Sequence, residues 1–153
     1  MVLVDLFQST KLSQRKFINQ WLRSINVYGF RITKIFIRRI SDWVIACSLD
    51  IQLFQRNSVI KMMALVHKQF ASPKYVEMWK YSWFKAGYLD EHPQEFLNPV
   101  DYCFGKRSGL EKCSFCEQAE FIRCSFCEKL LCFTHFWGAV DGLGHWCAGE
   151  TVR

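Results

Sequence analysis

Apolar residues recur every three or four positions in four segments of the N-terminal two thirds of the chain. This spacing puts them on one face of an α-helix, which can then bury that face against its neighbours. The pattern predicts a compact bundle of about four helices within residues 8–92. The four segments are Lys11–Ile25, Arg31–Cys47, Val59–Phe70 and Tyr75–Phe84.

The second segment allows an alternative. It is rich in β-branched residues, which are common in strands, so a strand over Phe30–Ile37 competes with the helix. Within the helical interpretation, Cys47 falls on the apolar face and is expected to be a small buried residue.

Residues that start and stop helices flank the later segments. Asn57 or Ser58 can cap the third helix, since their side-chain oxygens accept bonds from free N–H groups. Ser72 and Pro73 provide a cap and a first-turn proline for the fourth helix, and Gly87 provides its end.

The fourth segment carries four aromatic residues whose role is open. They form either part of the core or a platform on which nucleic-acid bases stack. Aromatic residues at helical spacing favour the core. The four are Trp79, Tyr81, Trp83 and Phe84.

A polar, turn-prone stretch follows, with Asp90–Pro93, Asn98-Pro99 and Gly105–Gly109. It predicts a boundary between a basic helical domain, residues 1–100, and a cysteine- and histidine-rich part, residues 101–153. Cys103 is either a core residue or a spare metal ligand. The isolated residues His67 and His92 are expected at the surface or hydrogen-bonded in the core.

Positive charge is concentrated in the N-terminal half. The chain carries a net charge of +6, and residues 1–70 contain eleven Lys and Arg against three Asp and Glu. A basic half predicts either a nucleic-acid contact or a solvated helix surface. The candidate nucleic-acid residues are Arg15, Lys16, Arg23, Arg31, Lys34, Arg38 and Arg39, with Lys106 and Arg107 near the second part.

Two identical pentapeptides open the second part, Cys113-Ser-Phe-Cys-Glu117 and Cys124-Ser-Phe-Cys-Glu128. They begin a series of eight metal-ligand residues with the spacing C-x2-C-x7-C-x2-C-x4-C-x2-H-x9-H-x-C. Eight such residues, arranged in pairs, are what two tetrahedral Zn²⁺ sites need. The eight are Cys113, Cys116, Cys124, Cys127, Cys132, His135, His145 and Cys147.

The surroundings of these cysteines favour zinc over disulfides. Charges interrupt every hydrophobic run, so no membrane span is expected, and the sequence Met1–Asp5 does not have the basic start of a signal peptide. We therefore expect an intracellular protein in a reducing compartment, cytoplasm or nucleus, where paired C-x2-C spacing indicates zinc.

Two wirings use the same eight residues. In the sequential wiring the first four hold one ion and the last four hold the other. In the cross-braced wiring the first and third pairs share one ion, and the second and fourth pairs share the other. We prefer the cross-brace, because it ties together the ends of a segment too short for a large core.

The phrase from Cys113 to His135, followed by His145 and Cys147, resembles the B-box and RING-like cross-brace modules. It is also similar to the C-terminal cysteine-rich domain of PiggyBac-type transposases, which share its C-x2-C-x4-C-x2-H core. A short, basic, helical protein ending in this module resembles the small non-structural proteins of insect parvoviruses. The resemblance covers roughly 45 residues. Taken with the helical spacing of the N-terminal part, it implies a mainly α chain, with a helical bundle followed by a two-zinc cross-brace (treble-clef or B-box-like) module.

The chain departs from RING ubiquitin ligases in its spacing. Seven residues separate the first two pairs, and the centre is Cys124-x2-Cys127 where those ligases have Cys-x-His-x2-Cys. A ligase is therefore the third hypothesis. A transposase itself is not expected, since residues 1–100 leave no room for its catalytic domain.

No catalytic constellation accompanies these motifs, and no small-molecule substrate or membrane partner is indicated. The leading hypothesis is a non-enzymatic accessory or regulatory protein, viral by the resemblance above, whose zinc module binds another protein. Nucleic-acid binding by the basic half is the alternative. Hydrophobic residues between the ligands are candidates for the protein-binding surface. They are Phe115, Phe126, Phe133, Phe136 and Trp137.

Overall fold

The computed structural model describes residues 28–105 and 111–147. Most of these residues lie in helices, and a two-stranded antiparallel hairpin is the only sheet in the described part. The first predicted helix, Lys11–Ile25, lies outside the described residues. The helices are α1 (28–46), α2 (Arg56–Phe70), α3 (Val76–Lys85), α4 (Pro99–Phe104) and α5 (Phe133–Trp137). The strands are β1 (Ile122–Arg123) and β2 (Leu130–Leu131), and 3-10 turns cover Pro73–Tyr75 and Gly138–Asp141.

Helix α1 confirms the helical interpretation of the second segment, and the strand alternative is wrong. Ile32, Phe36, Ile40 and Val44 are all buried at a spacing of four residues. Burial of this stripe outweighs the weak preference of β-branched residues for strands. The expectation for Cys47 is wrong, because it lies exposed in the turn after the helix ends.

Helix α2 begins at Arg56, so Asn57 and Ser58 lie inside its first turn and do not cap it. Its N-cap residue is Gln55, whose side chain makes no capping hydrogen bond. The helix buries the face that includes Leu65 and Gln69. The predicted face is correct for Met62, Val66 and Phe70, whereas Val59 and Met63 are exposed.

The fourth segment starts and stops as predicted, but its starting residue has another role. Pro73 opens a 3-10 turn that leads into α3, and Gly87 ends the helix with a φ of +82°. A positive φ suits glycine, which has no Cβ to clash. Ser72 stands at the N-cap without capping, because its hydroxyl donates to the carbonyl oxygen of Ser125 at 2.9 Å.

The four aromatic residues of this segment have separate surroundings. Trp79 packs against the core, as predicted. Tyr81 contacts the ring of Phe96, and Phe84 contacts the ring of His92. Trp83 is exposed, so the core prediction is wrong for it. His67 and His92 are both exposed, one of the two alternatives for each.

The predicted linker contains a helix. Asn98 caps α4 by accepting a hydrogen bond from the Val100 amide at 3.0 Å, and Pro99 occupies the first helical position. Asn followed by Pro is a helix start as well as a turn signal, which explains the difference.

Aromatic rings join the helices to the hairpin region in one hydrophobic core. Phe36 of α1 lies 5.2 Å from Phe70 and 4.7 Å from Phe104, measured between ring centroids. Phe104 contacts Phe121, which contacts Phe133 of α5. The same core therefore runs on both sides of residue 100, and the division of the chain at that point stays a prediction.

The mainly α fold class is confirmed. Among the described helices, none combines the length and apolar character that crossing a bilayer requires.

Candidate metal centre

The hairpin brings the second pentapeptide between its strands. Ile122 pairs with Leu131, and Arg123 pairs with Leu130. The loop between them closes tightly, since the Cys124 amide bonds to the carbonyl of Lys129 at 2.9 Å. The first pentapeptide packs beside this hairpin through the Ser114 amide, which donates to the carbonyl of Leu130 at 2.8 Å.

Helix α5 follows β2 directly and supplies the next pair. Cys132 is its N-cap residue, and the Phe136 amide donates to the Cys132 carbonyl. His135 lies one turn into the helix, on the side of the first pentapeptide. The loop with Cys113 and Cys116, the hairpin and the short helix thus follow one another in the order of a treble-clef zinc module.

The structure collects the eight predicted residues into two groups of four. Within each group the potential ligand atoms all lie within 4.8 Å of one another. The pairing is that of the cross-braced wiring. Group 1 is Cys113, Cys116, Cys132 and His135; group 2 is Cys124, Cys127, His145 and Cys147.

Group 1 has the dimensions of a tetrahedral site. Its Cys116 and Cys132 sulfurs are 3.6 Å apart. The Nδ1 atom of His135 lies 3.4 Å from the Cys113 sulfur and 3.2 Å from the Cys132 sulfur. Ligands at zinc bonding distances would be separated by about 3.8 Å between sulfurs and about 3.6 Å between sulfur and nitrogen. The residues of this group therefore fit a zinc ion.

Group 2 joins the second pentapeptide to the last described residues. The Nε2 atom of His145 is 3.1 Å from the Cys127 sulfur. Cys124 is buried, and the other three residues are half-buried. Three sulfurs and one nitrogen again make a donor set that zinc prefers. The two histidines face their groups through different ring nitrogens.

The pKa values of the thiols in the two groups also favour the binding of a cation. Burial raises the pKa of Cys132 to about 11, and the neighbouring thiols of Cys116 and Cys113 add to the rise. Burial, with Cys124 and Cys127 nearby, raises the pKa of Cys147 to about 11. Thiols this close resist becoming thiolates together, because like charges repel, and a bound cation removes that penalty.

Two further pKa shifts favour metal binding. Burial would raise the pKa of Cys113, but hydrogen bonds from the backbone of Cys132 and Phe115 lower it to about 6. Burial and the charge of Lys129 lower the pKa of His145. A low histidine pKa keeps the imidazole neutral, which is its ligand form.

Cys103 is not part of either group. It is fully buried, with its sulfur 3.5 Å from the Tyr75 hydroxyl and 3.4 Å from the Ser125 hydroxyl. Of the two alternatives for this residue, the structure supports the core position.

Of the five hydrophobic residues between the ligands, two are buried, two are partly buried and one is exposed. Phe133 and Phe136 belong to the core. Phe126 and Trp137 are partly buried against it. Phe115 alone of the five is exposed, at 47%, and its ring stacks on His145 at 5.2 Å.

A buried polar network joins the second pentapeptide to the helices, and sequence reasoning missed it. Its centre is Ser125, which has no exposed surface. Its partners include Gln69, a polar residue on the buried face of α2. The one sign of this network in the sequence is the polar residue Gln69 within an apolar helical stripe. The pentapeptides give no sign of it, since Ser114 and Ser125 occupy the same position in identical sequences.

The basic candidates on α1 share its exposed side. Arg31, Lys34, Arg38 and Arg39 are all exposed. Within the described residues, none of the four forms an ion pair with a carboxylate. The remaining basic candidates, Arg15, Lys16, Arg23, Lys106 and Arg107, lie outside the described residues.

Comparison with known families relates the C-terminal part to a transposase. Residues 83–147 match the family model of the Tc5 transposase C-terminal domain. The match covers less than half of the chain, begins within α3 and includes all eight residues of the two groups. No curated protein and no solved structure matches. The part of the chain with the two groups is thus transposase-related, while the PiggyBac and parvovirus resemblances stay predictions.

Two backbone segments lie very close together where the chain returns from α5 to group 2. The His145 amide donates to the carbonyl of His135 at 2.9 Å. Gly144 passes so near this carbonyl that a Cβ atom there would overlap it, and would lie 2.6 Å from the Ala139 nitrogen. Both neighbours are backbone atoms that cannot rotate away, so this position requires glycine.

We predict that Gly144→Ala disrupts group 2 and leaves group 1 intact. The displaced segment carries His145 and Cys147, so the number of metal ions bound in a Co²⁺ titration should fall from two to one. Gly87→Ala is the control, because its Cβ would meet no atom within 4 Å. That variant carries only the backbone strain of a positive φ, roughly 1–2 kcal/mol. Two ions bound by Gly144→Ala would contradict the prediction.

Proposed function

We propose that groups 1 and 2 each bind one Zn²⁺ ion, and that the ions are structural. The cross-braced arrangement carries this proposal. Each group takes two residues from a pentapeptide and two from a later segment, so the ions would hold distant parts of a short chain together. All four ligand positions would come from the protein, as is typical of structural and not catalytic zinc sites.

We further propose that the protein is a non-enzymatic accessory or regulatory protein. Zinc-bound thiolates are not free nucleophiles, and six of the eight cysteines would be ligands. Of the other two, Cys103 is enclosed in the core, and Cys47 lies in an exposed turn and belongs to neither group.

An apolar groove beside the module supports protein binding. It lies between α2 and the 3-10 turn after α5 and has a volume of about 370 Å³. Ile60 and Val140 line it and are exposed, and Lys61 and Asp141 form an ion pair at the same place. Leu143, close by in sequence, is 83% exposed. Exposed apolar surface with a polar edge suits a protein partner that inserts an apolar side chain.

We expect two zinc ions per chain by native mass spectrometry. Structural zinc contributes about 10–16 kcal/mol in zinc-finger peptides, as much as the total stability of a domain, so chelation should unfold residues 111–147. With zinc bound, a thiol reagent should modify Cys47 alone; after chelation, the six group cysteines should react as well.

Two variants test which cysteines hold the ions, one as a control outside the groups and one within group 1. Cys47→Ser should keep both ions, since this residue belongs to neither group. Cys116→Ser should weaken binding in group 1 alone. Fewer than two ions in the unmodified protein would disprove the proposal.

Protein binding at the groove predicts position-specific cross-links. A photo-reactive amino acid at Ile60 should capture a defined protein partner in cells that express the chain. The same amino acid at Ile45, which is more exposed but lies on α1, is the control. Equal capture at both positions, or none at Ile60, would argue against the groove as a binding surface.

A second candidate function is nucleic-acid binding through α1. The exposed basic residues Arg31, Lys34, Arg38 and Arg39 support it, as does the similarity to a transposase domain. Clustered cations without carboxylate partners are suited to contact phosphates.

This candidate predicts a steep dependence on salt. Four phosphate contacts would give a slope of about −3 to −4 in a plot of log affinity against log salt concentration. The double variant Lys34→Glu/Arg38→Glu should abolish binding to DNA or RNA in fluorescence anisotropy. Lys85→Glu on α3 is the matched control. No binding at low salt by the unmodified chain would eliminate this candidate.

A further inference from the structure

The two pentapeptides have the same sequence and different surroundings. Ser114 and Phe115 of the first copy are exposed, and the Ser114 hydroxyl accepts a hydrogen bond from the Leu130 amide of the same module at 3.1 Å. Ser125 of the second copy has no exposed surface, and Phe126 is partly buried against the core. The second copy faces the helices and the first does not.

Every polar atom of Ser125 is bound by a helix or by the turn before α3. Its amide and its hydroxyl both donate to Oε1 of Gln69, at 2.8 and 2.9 Å. Its carbonyl accepts from the Ser72 hydroxyl at 2.9 Å. The Tyr75 hydroxyl lies 3.0 Å from the Ser125 hydroxyl, whose own proton already goes to Gln69. Tyr75 is therefore the donor of this bond.

Charged side chains add to this attachment. Lys74 pairs with Glu128, the last residue of the second copy, at 2.8 Å. The matching residue of the first copy, Glu117, pairs with Lys112 of its own loop. Among residues 28–105 and 111–147, only the second copy is thus tied to the helical part by an ion pair.

The other half of group 2 is held by the same helix. The Lys68 ammonium of α2 lies 4.7 Å from the centre of the Phe126 ring and 5.2 Å from that of Trp146. Trp146 stands between His145 and Cys147, two residues of group 2. One lysine therefore contacts both chain segments that form the group.

We infer that Gln69 and Lys68 of α2 are positioning residues for the metal in group 2, because they hold both of its chain segments. In group 1 only the α5 segment packs against α2. Among the described residues, the first pentapeptide has no hydrogen bond or ion pair to α1–α4. This inference rests on the zinc binding proposed above. Because the folded helices hold the ligand-bearing segments of group 2 in place, less ordering is needed when its ion binds. Group 2 then loads first and releases last, and group 1 exchanges its ion more readily.

The test compares matched variants of the full-length chain. Gln69→Met removes the acceptor of two buried hydrogen bonds and keeps the length of the side chain. Gln118→Met is its control, since Gln118 is exposed beside the first pentapeptide and its side-chain oxygen accepts from the Thr134 hydroxyl at 3.4 Å. Ser125→Ala and Ser114→Ala form a second matched pair.

Zinc is first counted by native mass spectrometry, and a chelator is then added with a thiol reagent. Peptide mass spectrometry gives the modification rate of each cysteine. In the unmodified chain, the cysteines of group 1 should react first. Gln69→Met and Ser125→Ala should speed modification of the group 2 cysteines about tenfold, since each leaves buried groups unpaired, and should leave group 1 unchanged. Gln118→Met and Ser114→Ala should not alter group 2.

The outcomes separate this inference from zinc binding itself. Fewer than two ions in the unmodified chain would overturn the proposed function and this inference with it. Two ions with equal reaction rates in both groups, or variants that accelerate both groups alike, would overturn the inference alone. If Gln69→Met fails to fold, Lys68→Met replaces it, because that change leaves no buried polar group unpaired.

Discussion

Four donor atoms must meet within a few ångströms in each group, and they come from segments up to 23 residues apart in the sequence. That requirement governs the C-terminal part of the structure. The hairpin sets the second pentapeptide opposite α5, α5 sets His135 against the first pentapeptide, and Gly144 allows the return to Cys127. With an ion in each group, as proposed, residues 111–147 would need little core of their own. The core they do have, around Phe121, continues into the helices.

The sequence was most informative where chemistry limits the choice of residue. Ligand type and spacing predicted the eight residues that form the two groups. They leave both wirings possible, and we prefer the cross-brace because it ties together the ends of a short segment. The spacing could not show which pentapeptide faces the helices, because both copies have the sequence Cys-Ser-Phe-Cys-Glu. The difference comes from partners elsewhere, such as Gln69 and Tyr75, which local pattern cannot connect to Ser125. Tertiary contact, not the motif, decides the environment of each copy.

Helical periodicity predicted where helices lie better than which residues they bury. An apolar residue near the edge of a stripe is buried only if a neighbouring element covers it. Val59, Met63 and Trp83 lie at such edges and are exposed, whereas the polar Gln69 and Ser82 are buried because they find hydrogen-bond partners. Cys47 is exposed because α1 ends just before it. The helix α4 was missed because its start, Asn98-Pro99, is also a common turn sequence.

Aromatic rings are in contact along a continuous path from Phe36 to Phe133. The boundary of the transposase-like segment therefore does not coincide with a boundary of the hydrophobic core. The part similar to the Tc5 transposase C-terminal domain begins inside α3, yet Phe104 and Phe121 rest on Phe36 and Trp43, two rings supplied by α1. A fragment cut at the family boundary would leave that apolar surface facing water and would be prone to aggregate. The segment similar to the transposase domain is therefore shorter than the stretch that shares one hydrophobic core, and the earlier helices support the later ones.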